Sequence, residues 1–335
     1  MAALGIGGKM TPDLVVQFVE NITVFGLIAS IAGGFFGAAI GGNNAFGFTG
    51  VMILLAFGIT FATGSTMGFD YLAFGPLFGP HVAFAGGAAA SAYAAKKKFL
   101  TADTGYGRDV NQPLAGLGHP DVLLVGAVFG VCGYLLQKAI TFIPWFGTHT
   151  DSVALTVMTS GIVARLLFSK QPVFHWVSKL DDKKCWLGWQ EKPSQYLTLG
   201  AFSGLMAAGA ALALTHYAYQ AVPGEAADHV MANAQALPFA ISALCIFFLP
   251  LGSKFPVTHH MTITAALAAV KFLPVVGNNV WAALVIGVVA GMLAAFLGEV
   301  AQRLVYANGD THIDPPASAI WPMNTLICLG VLALS

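Results

Sequence analysis

Charged residues are scarce in this chain. Asp, Glu, Lys and Arg make up only 9% of its 335 residues, against roughly 25% in an average soluble domain. Hydrophobic residues make up 57%, and the mean hydropathy is +0.75. This composition excludes an ordinary soluble protein, and the formal net charge of zero offers no basic face for nucleic acid. The sequence therefore predicts an integral membrane protein whose surroundings are a lipid bilayer.

Cysteine pairs and familiar catalytic motifs are also missing. The four cysteines stand singly, which gives neither a disulfide framework nor a cysteine metal site. The chain contains no glycine-rich phosphate loop followed by Lys-Ser/Thr, no HExxH and no GxSxG. These absences argue against an enzyme of the soluble type, and we expect no cofactor.

Long apolar runs, by contrast, are abundant. About 20 apolar residues are needed to cross a bilayer as a helix, and ten runs approach that length. They predict an all-α polytopic membrane protein of about ten transmembrane helices. The runs cover residues 20–42, 46–64, 76–95, 121–142, 149–169, 196–219, 236–252, 256–276, 279–301 and 314–334.

The runs fall into two halves of five. We expect an N-terminal segment 1–19, a first five-helix repeat 20–169, a hydrophilic linker 170–195 and a second repeat 196–335. Because each repeat holds an odd number of spans, the second enters the membrane from the opposite side. The predicted fold is therefore a 5+5 inverted-topology repeat about an axis in the membrane plane.

A short motif recurs at matching places in the two halves. Thr-His-Thr-Asp occupies 148–151, and Thr-His-Ile-Asp occupies 311–314, each before a long apolar run. One further histidine opens another apolar run in each half: His81 in the first half and His260 in the second. Ionisable residues at membrane depth are functional candidates by default. We therefore predict a solute or proton path lined by His81, His149, Asp151, His260, His312 and Asp314, with Asp70, Thr148, Thr311 and His259 as secondary candidates.

Other interpretations of the motif remain open. Thr148 with Asp151, and Thr311 with Asp314, resemble capping boxes, so the motif also fits a helix start and nothing more. His and Asp are competent metal ligands as well, which makes a metal site of His149, Asp151, His312 and Asp314 a further hypothesis. Asp70 lies in a Gly-Pro-rich stretch that fits either a re-entrant segment or an ordinary loop.

In its predicted architecture the chain resembles the five-plus-five inverted-repeat families, among them urea channels and ammonium transporters. Ammonium transporters also place one pore histidine on the fifth span of each repeat, which His149 and His312 nearly match. The resemblance covers topology, not sequence signatures, and names no substrate. We expect a proton-coupled permease for a small polar or ionic solute. A passive channel and a membrane-embedded metal protein or enzyme are the alternatives, and homo-oligomerisation is compatible with each.

The distribution of Lys and Arg predicts the orientation. If the N-terminus lies outside, twelve of the fifteen Lys and Arg residues lie on or beside cytoplasmic loops, and the other three lie outside. The positive-inside rule requires such an excess on the cytoplasmic side. Both termini are then extracytoplasmic and the linker is cytoplasmic. We place the protein in a bacterial plasma membrane.

This orientation can be tested by labelling in intact cells, with the native cysteines replaced by serine. A new cysteine within 179–192 should be shielded from an impermeant thiol reagent, whereas one at Gly224 should react. Both should react after permeabilisation. The opposite labelling pattern in intact cells would invert the topology.

Overall fold

The structure is a computed structural model that describes residue 17 and residues 20–180, 185–222 and 224–334. Helix makes up 72% of the chain, and the described part contains no strand. The expected N-terminal segment 1–19 and four linker residues lie outside this part, apart from Gln17. The predicted all-helical class is thereby confirmed.

The described residues contain six α-helices in the first half and six in the second. Those of the first half are α1 Val24–Ile40, α2 Gly42–Thr63, α3 Ala83–Lys96, α4 Pro120–Thr141, the single turn α5 Phe146–His149, and α6 Ser152–Phe168. Their starts follow local chemistry. Thr23 caps α1 by accepting from the Gly26 N–H, and Pro120 needs no amide partner in the first turn of α4.

Six more helices form the second half. They are α7 Pro193–Ala221, α8 Glu225–Ala232, α9 Ala236–Leu244, α10 His259–Phe272, α11 Val280–Ala301 and α12 Pro315–Leu334. Asn279 caps α11 by accepting from two backbone amides. A 3₁₀ segment extends α9 through Phe248, and a π-helical segment extends α11 through Tyr306.

Every predicted apolar run contains a helix, but ten full spans are not found. Among the described residues, only α2, α4, α7, α11 with its extension, and α12 are long and apolar enough to cross a membrane; the bent pair α8–α9 would make a sixth. Helices α1 and α6 have 17 residues each, and α3 and α10 have 14. The expected count of ten spans is thus met only in part.

The short lengths of α3 and α10 have a clear cause in the sequence. The run containing α3 starts at 76, yet Pro76 and Pro80 resist helix, and turns occupy the chain up to Val82. Pro256 likewise delays α10 until His259. Apolar composition alone did not reveal these breaks. Both short helices consequently begin inside the protein, with buried histidines at their starts.

Small residues bring helices together in the same way in both halves. In the first half α1, α3 and α4 pack mutually, and a Cβ on Gly34 would lie 2.7 Å from the Gly130 Cα. In the second half α7, α10 and α11 do the same, and a Cβ on Gly200 would lie 2.8 Å from the Gly291 carbonyl oxygen. Backbones touching through glycine are a common device for helices in membranes.

Large apolar side chains cover much of the outer surface. Phe25 on α1, Phe202 on α7 and Trp281 on α11 are 59%, 70% and 78% exposed. A monomer in water rarely shows so much apolar surface. The long helices and this surface together indicate insertion into a membrane.

We expect Gly34→Ala to prevent close packing of α1 on α4, because the added methyl group would meet the Gly130 backbone. The variant should lose thermal stability and monodispersity in detergent. Gly58→Ala on α2 is the matched control, since nothing lies within 4 Å of its Cβ position. Equal melting temperatures for the two variants would contradict the packing described here.

Candidate functional site

A cavity of about 770 Å³ lies inside the described part of the protein. Five of the sequence candidates lie on its wall: Thr148, His149, Asp151, His259 and Asp314. They come from both halves of the chain. The motif residues that were predicted from sequence therefore meet at one internal space.

Helices α6 and α12 run antiparallel beside this cavity. Asp151, at the start of α6, accepts a hydrogen bond from the Asn324 amide at 3.1 Å. Near the other end of α6, Arg165 donates to Thr311, just before α12. Asn324 lies ten residues beyond Asp314, or about 15 Å along a helix. The two motifs thus mark opposite ends of the cavity, here named the Asp151 end and the Asp314 end.

The wall of the Asp151 end reaches the protein surface. Thr148, Asp228, Lys271 and Pro274 line the cavity and are exposed. At the Asp314 end the wall residues Phe46, Phe84, Val257 and His259 are buried. The cavity therefore opens at the Asp151 end and is closed at the Asp314 end.

His149 is held by the residues just before it. Its ring stacks on the Trp145 indole with 4.8 Å between centroids, and its Nδ1 lies 2.6 Å from the Trp145 carbonyl oxygen. A carbonyl can only accept, so Nδ1 carries the proton. In the neutral ring, Nε2 is then the nitrogen that can take up a further proton.

The aspartates of the two motifs cap helices, whereas the threonines do not. Asp151 accepts from the Ala154 N–H at 2.8 Å, and Asp314 accepts from the Ala317 N–H at 2.7 Å. Thr148 instead donates to the Trp145 carbonyl oxygen. The expected capping box with threonine as the cap is therefore wrong, because each helix begins only after the aspartate.

At the Asp314 end, the second motif histidine lies behind the aspartate. His312 Nδ1 is 3.1 Å from the Arg108 carbonyl oxygen, and Nε2 is 3.1 Å from Asp314 Oδ1. Both neighbours can accept hydrogen bonds, and a neutral imidazole carries a single N–H, so it donates to one of them at a time.

His259 is an unpartnered polar group on the cavity wall. The residue is 6% exposed, and its buried Nδ1 has no hydrogen-bond partner. Within the described part of the chain neither ring nitrogen makes a hydrogen bond, while the ring contacts Phe46 at 4.6 Å between centroids. A buried polar atom without a partner is costly, which marks this position for a ligand.

The remaining candidates lie away from the cavity wall. His81 is buried with both ring nitrogens unpartnered, and its carbonyl packs against Gly133 of α4. His260 lies in a separate pocket of about 20 Å³ beneath the linker. Thr311 is buried as an acceptor for Arg165. Asp70 is exposed and accepts from Thr66, in a π-helical turn that leads into the irregular stretch before α3.

Sequence reasoning missed four residues. Asn324 and Lys271 line the cavity, and Trp186 of the linker covers the Asp314 end. Arg165 is fully buried, and its guanidinium donates to Thr311 and to the Val305 carbonyl. Asn324, Lys271 and Arg165 are polar residues inside predicted apolar runs, which is a usable signal. Trp186 gave none.

The proposed four-residue metal site is not assembled. His149 and Asp151 lie about 15 Å of helix away from His312 and Asp314. In the part of the chain that the structure describes, no three His, Cys, Asp or Glu side chains are grouped to hold a metal ion.

Together, the long apolar helices and the apolar outer surface indicate an all-helical protein that inserts into a membrane. The chain belongs to DUF7973, a family of unknown function, which matches residues 16–182 and residues 175–335. No curated protein matches the chain. No solved structure matches it either.

Arg165→Ala should unfold the Asp314 end, because it removes the donor from several buried acceptors. Each acceptor left unpaired costs about 1–3 kcal/mol, so a large drop in thermal stability is expected in detergent. Lys254→Ala, at an exposed position, should change stability by no more than about 0.5 kcal/mol. Similar melting temperatures would mean that the buried guanidinium is not needed.

Proposed function

We propose that this protein is a secondary transporter, coupled to protons, for a small polar or ionic solute. The observation that carries the proposal is the pair of aspartates that cap antiparallel helices at opposite ends of one cavity. Half-helices that end inside the protein, beside a polar cavity, are typical of transporters built from repeats. Solute would enter at the Asp151 end and leave at the Asp314 end, or the reverse.

Proton coupling is supported by the groups at both ends. At one end the His149 imidazole lies on the cavity wall, and an imidazole can both donate and accept protons. At the other end His312 Nε2 lies 3.1 Å from Asp314 Oδ1, close enough for a proton to pass between them. The groups that face this pair are Tyr306, whose ring lies 5.3 Å from the His312 ring, His259 on the cavity wall, and Arg108 through its carbonyl. A solute reaching Asp314 would compete with His312 for that carboxylate.

We also propose that the two halves are inverted copies of one unit. Two matches to one family, of similar length and meeting at the linker, support a duplication. The helix packing repeats, with α1, α3 and α4 corresponding to α7, α10 and α11. Gly64 and Gly252, matched in sequence, both adopt left-handed conformations, with φ of 76° and 79°. The antiparallel course of α6 and α12 is what an inverted repeat requires of its equivalent fifth helices.

Transport can be tested with purified protein in liposomes that contain the pH dye pyranine. Methylammonium, acetate, urea and glycine would be added in turn, and a saturable change of internal pH is expected for a coupled solute. Asp151→Asn, Asp314→Asn and His149→Ala should each reduce the rate at least tenfold. Asparagine retains capping ability, so Asp→Asn should leave thermal stability nearly unchanged.

Asp121→Asn is the matched control, because Asp121 lies in the first turn of α4 and outside the cavity wall. It should transport normally. Full activity in all three site variants would reduce the motif to a folding signal. Flux that only dissipates gradients and never saturates would indicate a channel instead.

A further inference from the structure

We propose that the solute is an alkylated ammonium ion, held at the Asp314 end by aromatic rings and a carboxylate. The inference rests on the proposed function, since it names the solute class of that path. Three observations carry it: the charge of the cavity wall, the rings at its closed end and the unpartnered His259.

The cavity wall favours a cation. Asp151, Asp228 and Asp314 line it, against Lys271 alone among lysines and arginines. Within the described ranges, no lysine or arginine lies within ion-pair distance of any of the three carboxylates. A carboxylate in an apolar protein interior calls for a positive partner. A cationic solute supplies one.

Aromatic side chains surround the same end. We name this set the aromatic box; its members are Phe46, Phe74, Phe84, Phe239 and Trp186, all on the cavity wall. The Phe46 ring centroid lies 6.0 Å from that of Phe84 and 5.7 Å from that of Phe239, which is 6.3 Å from Phe74. Aromatic faces attract cations through the ring quadrupole, above all ammonium groups carrying alkyl substituents.

The aromatic box selects against inorganic cations. Hard metal ions need several oxygen ligands, and the rings provide none. A methylated ammonium loses little hydration on entry and fills apolar space, so rings with one carboxylate suit it. The cavity volume of about 770 Å³ falls within the roughly 300–1,000 Å³ of small-molecule sites.

His259 adds the polar contact that a functionalised cation would use. Its ring lies 4.6 Å from Phe46 and 6.0 Å from Phe239, between centroids, so the imidazole belongs to the same end of the cavity. Its Nδ1 is buried without a hydrogen-bond partner. A hydroxyl on the solute could bond to the imidazole of this residue.

Binding to the detergent-purified protein tests this inference without requiring transport. Choline is the probe, and 3,3-dimethylbutan-1-ol is its uncharged counterpart of nearly the same shape. Isothermal titration should detect choline binding and at least tenfold weaker binding of the alcohol.

Variants identify the place of binding. Asp314→Asn, which keeps the cap, and Phe239→Leu should each weaken choline binding at least tenfold. If Phe239→Leu does not fold, Phe74→Leu at a half-buried position tests the same box. Phe202→Leu is the control, because that ring is 70% exposed on α7 and absent from the cavity wall. It should bind choline with wild-type affinity.

Failure of this inference is distinguishable from failure of the proposed function. Equal binding of choline and the alcohol, or no choline binding by protein that still transports another solute, would overturn the cation assignment alone. Choline binding that Asp314→Asn and Phe239→Leu leave unchanged would overturn the location. Tight, variant-sensitive choline binding without any flux in liposomes would support the site and refute transport.

Discussion

The first backbone amides of α6 and α12 must find acceptors inside an apolar protein, and this requirement governs the whole arrangement. The first N–H groups of a helix have no partner within the helix. Asp151 accepts from the Ala154 N–H and Asp314 accepts from the Ala317 N–H, and in doing so they bring one carboxylate to each end of the cavity. The structural role and the chemical role therefore belong to the same atoms. This is why a capping interpretation and a site interpretation of the motif do not exclude each other.

Much of the fold could be predicted from sequence because it follows from hydropathy. Every apolar run contains a helix, and the boundaries of α4 and α11 agree with prediction to within one residue. The breaks before α3 and α10 were harder to predict, because Pro76, Pro80 and Pro256 lie within stretches that are continuous in apolar composition. Hydropathy measures transfer to lipid, whereas these breaks depend on backbone geometry.

The candidate site was predicted in outline through the duplicated motif. The difference between the two copies of the motif could not be predicted from the sequence. His149 stacks on Trp145 near the surface, while His312 is buried between Phe84 and Tyr306 and bonded to Asp314. The same residue type has a different role in each motif because its neighbours come from distant parts of the chain. The aromatic box illustrates the same limit, since each of its five rings comes from a different segment of the chain and the five share no spacing.

Hydrogen bonds between the two halves affect how the protein folds. The second motif is held by first-half groups: Gly107 accepts from the His312 N–H, and Arg165 donates to Thr311. The first motif in turn depends on Asn324 of the last helix. Neither half can complete its own end, so the two halves form the site only together. Because both ends of the cavity need residues of α12, neither end can form before that helix has been synthesised.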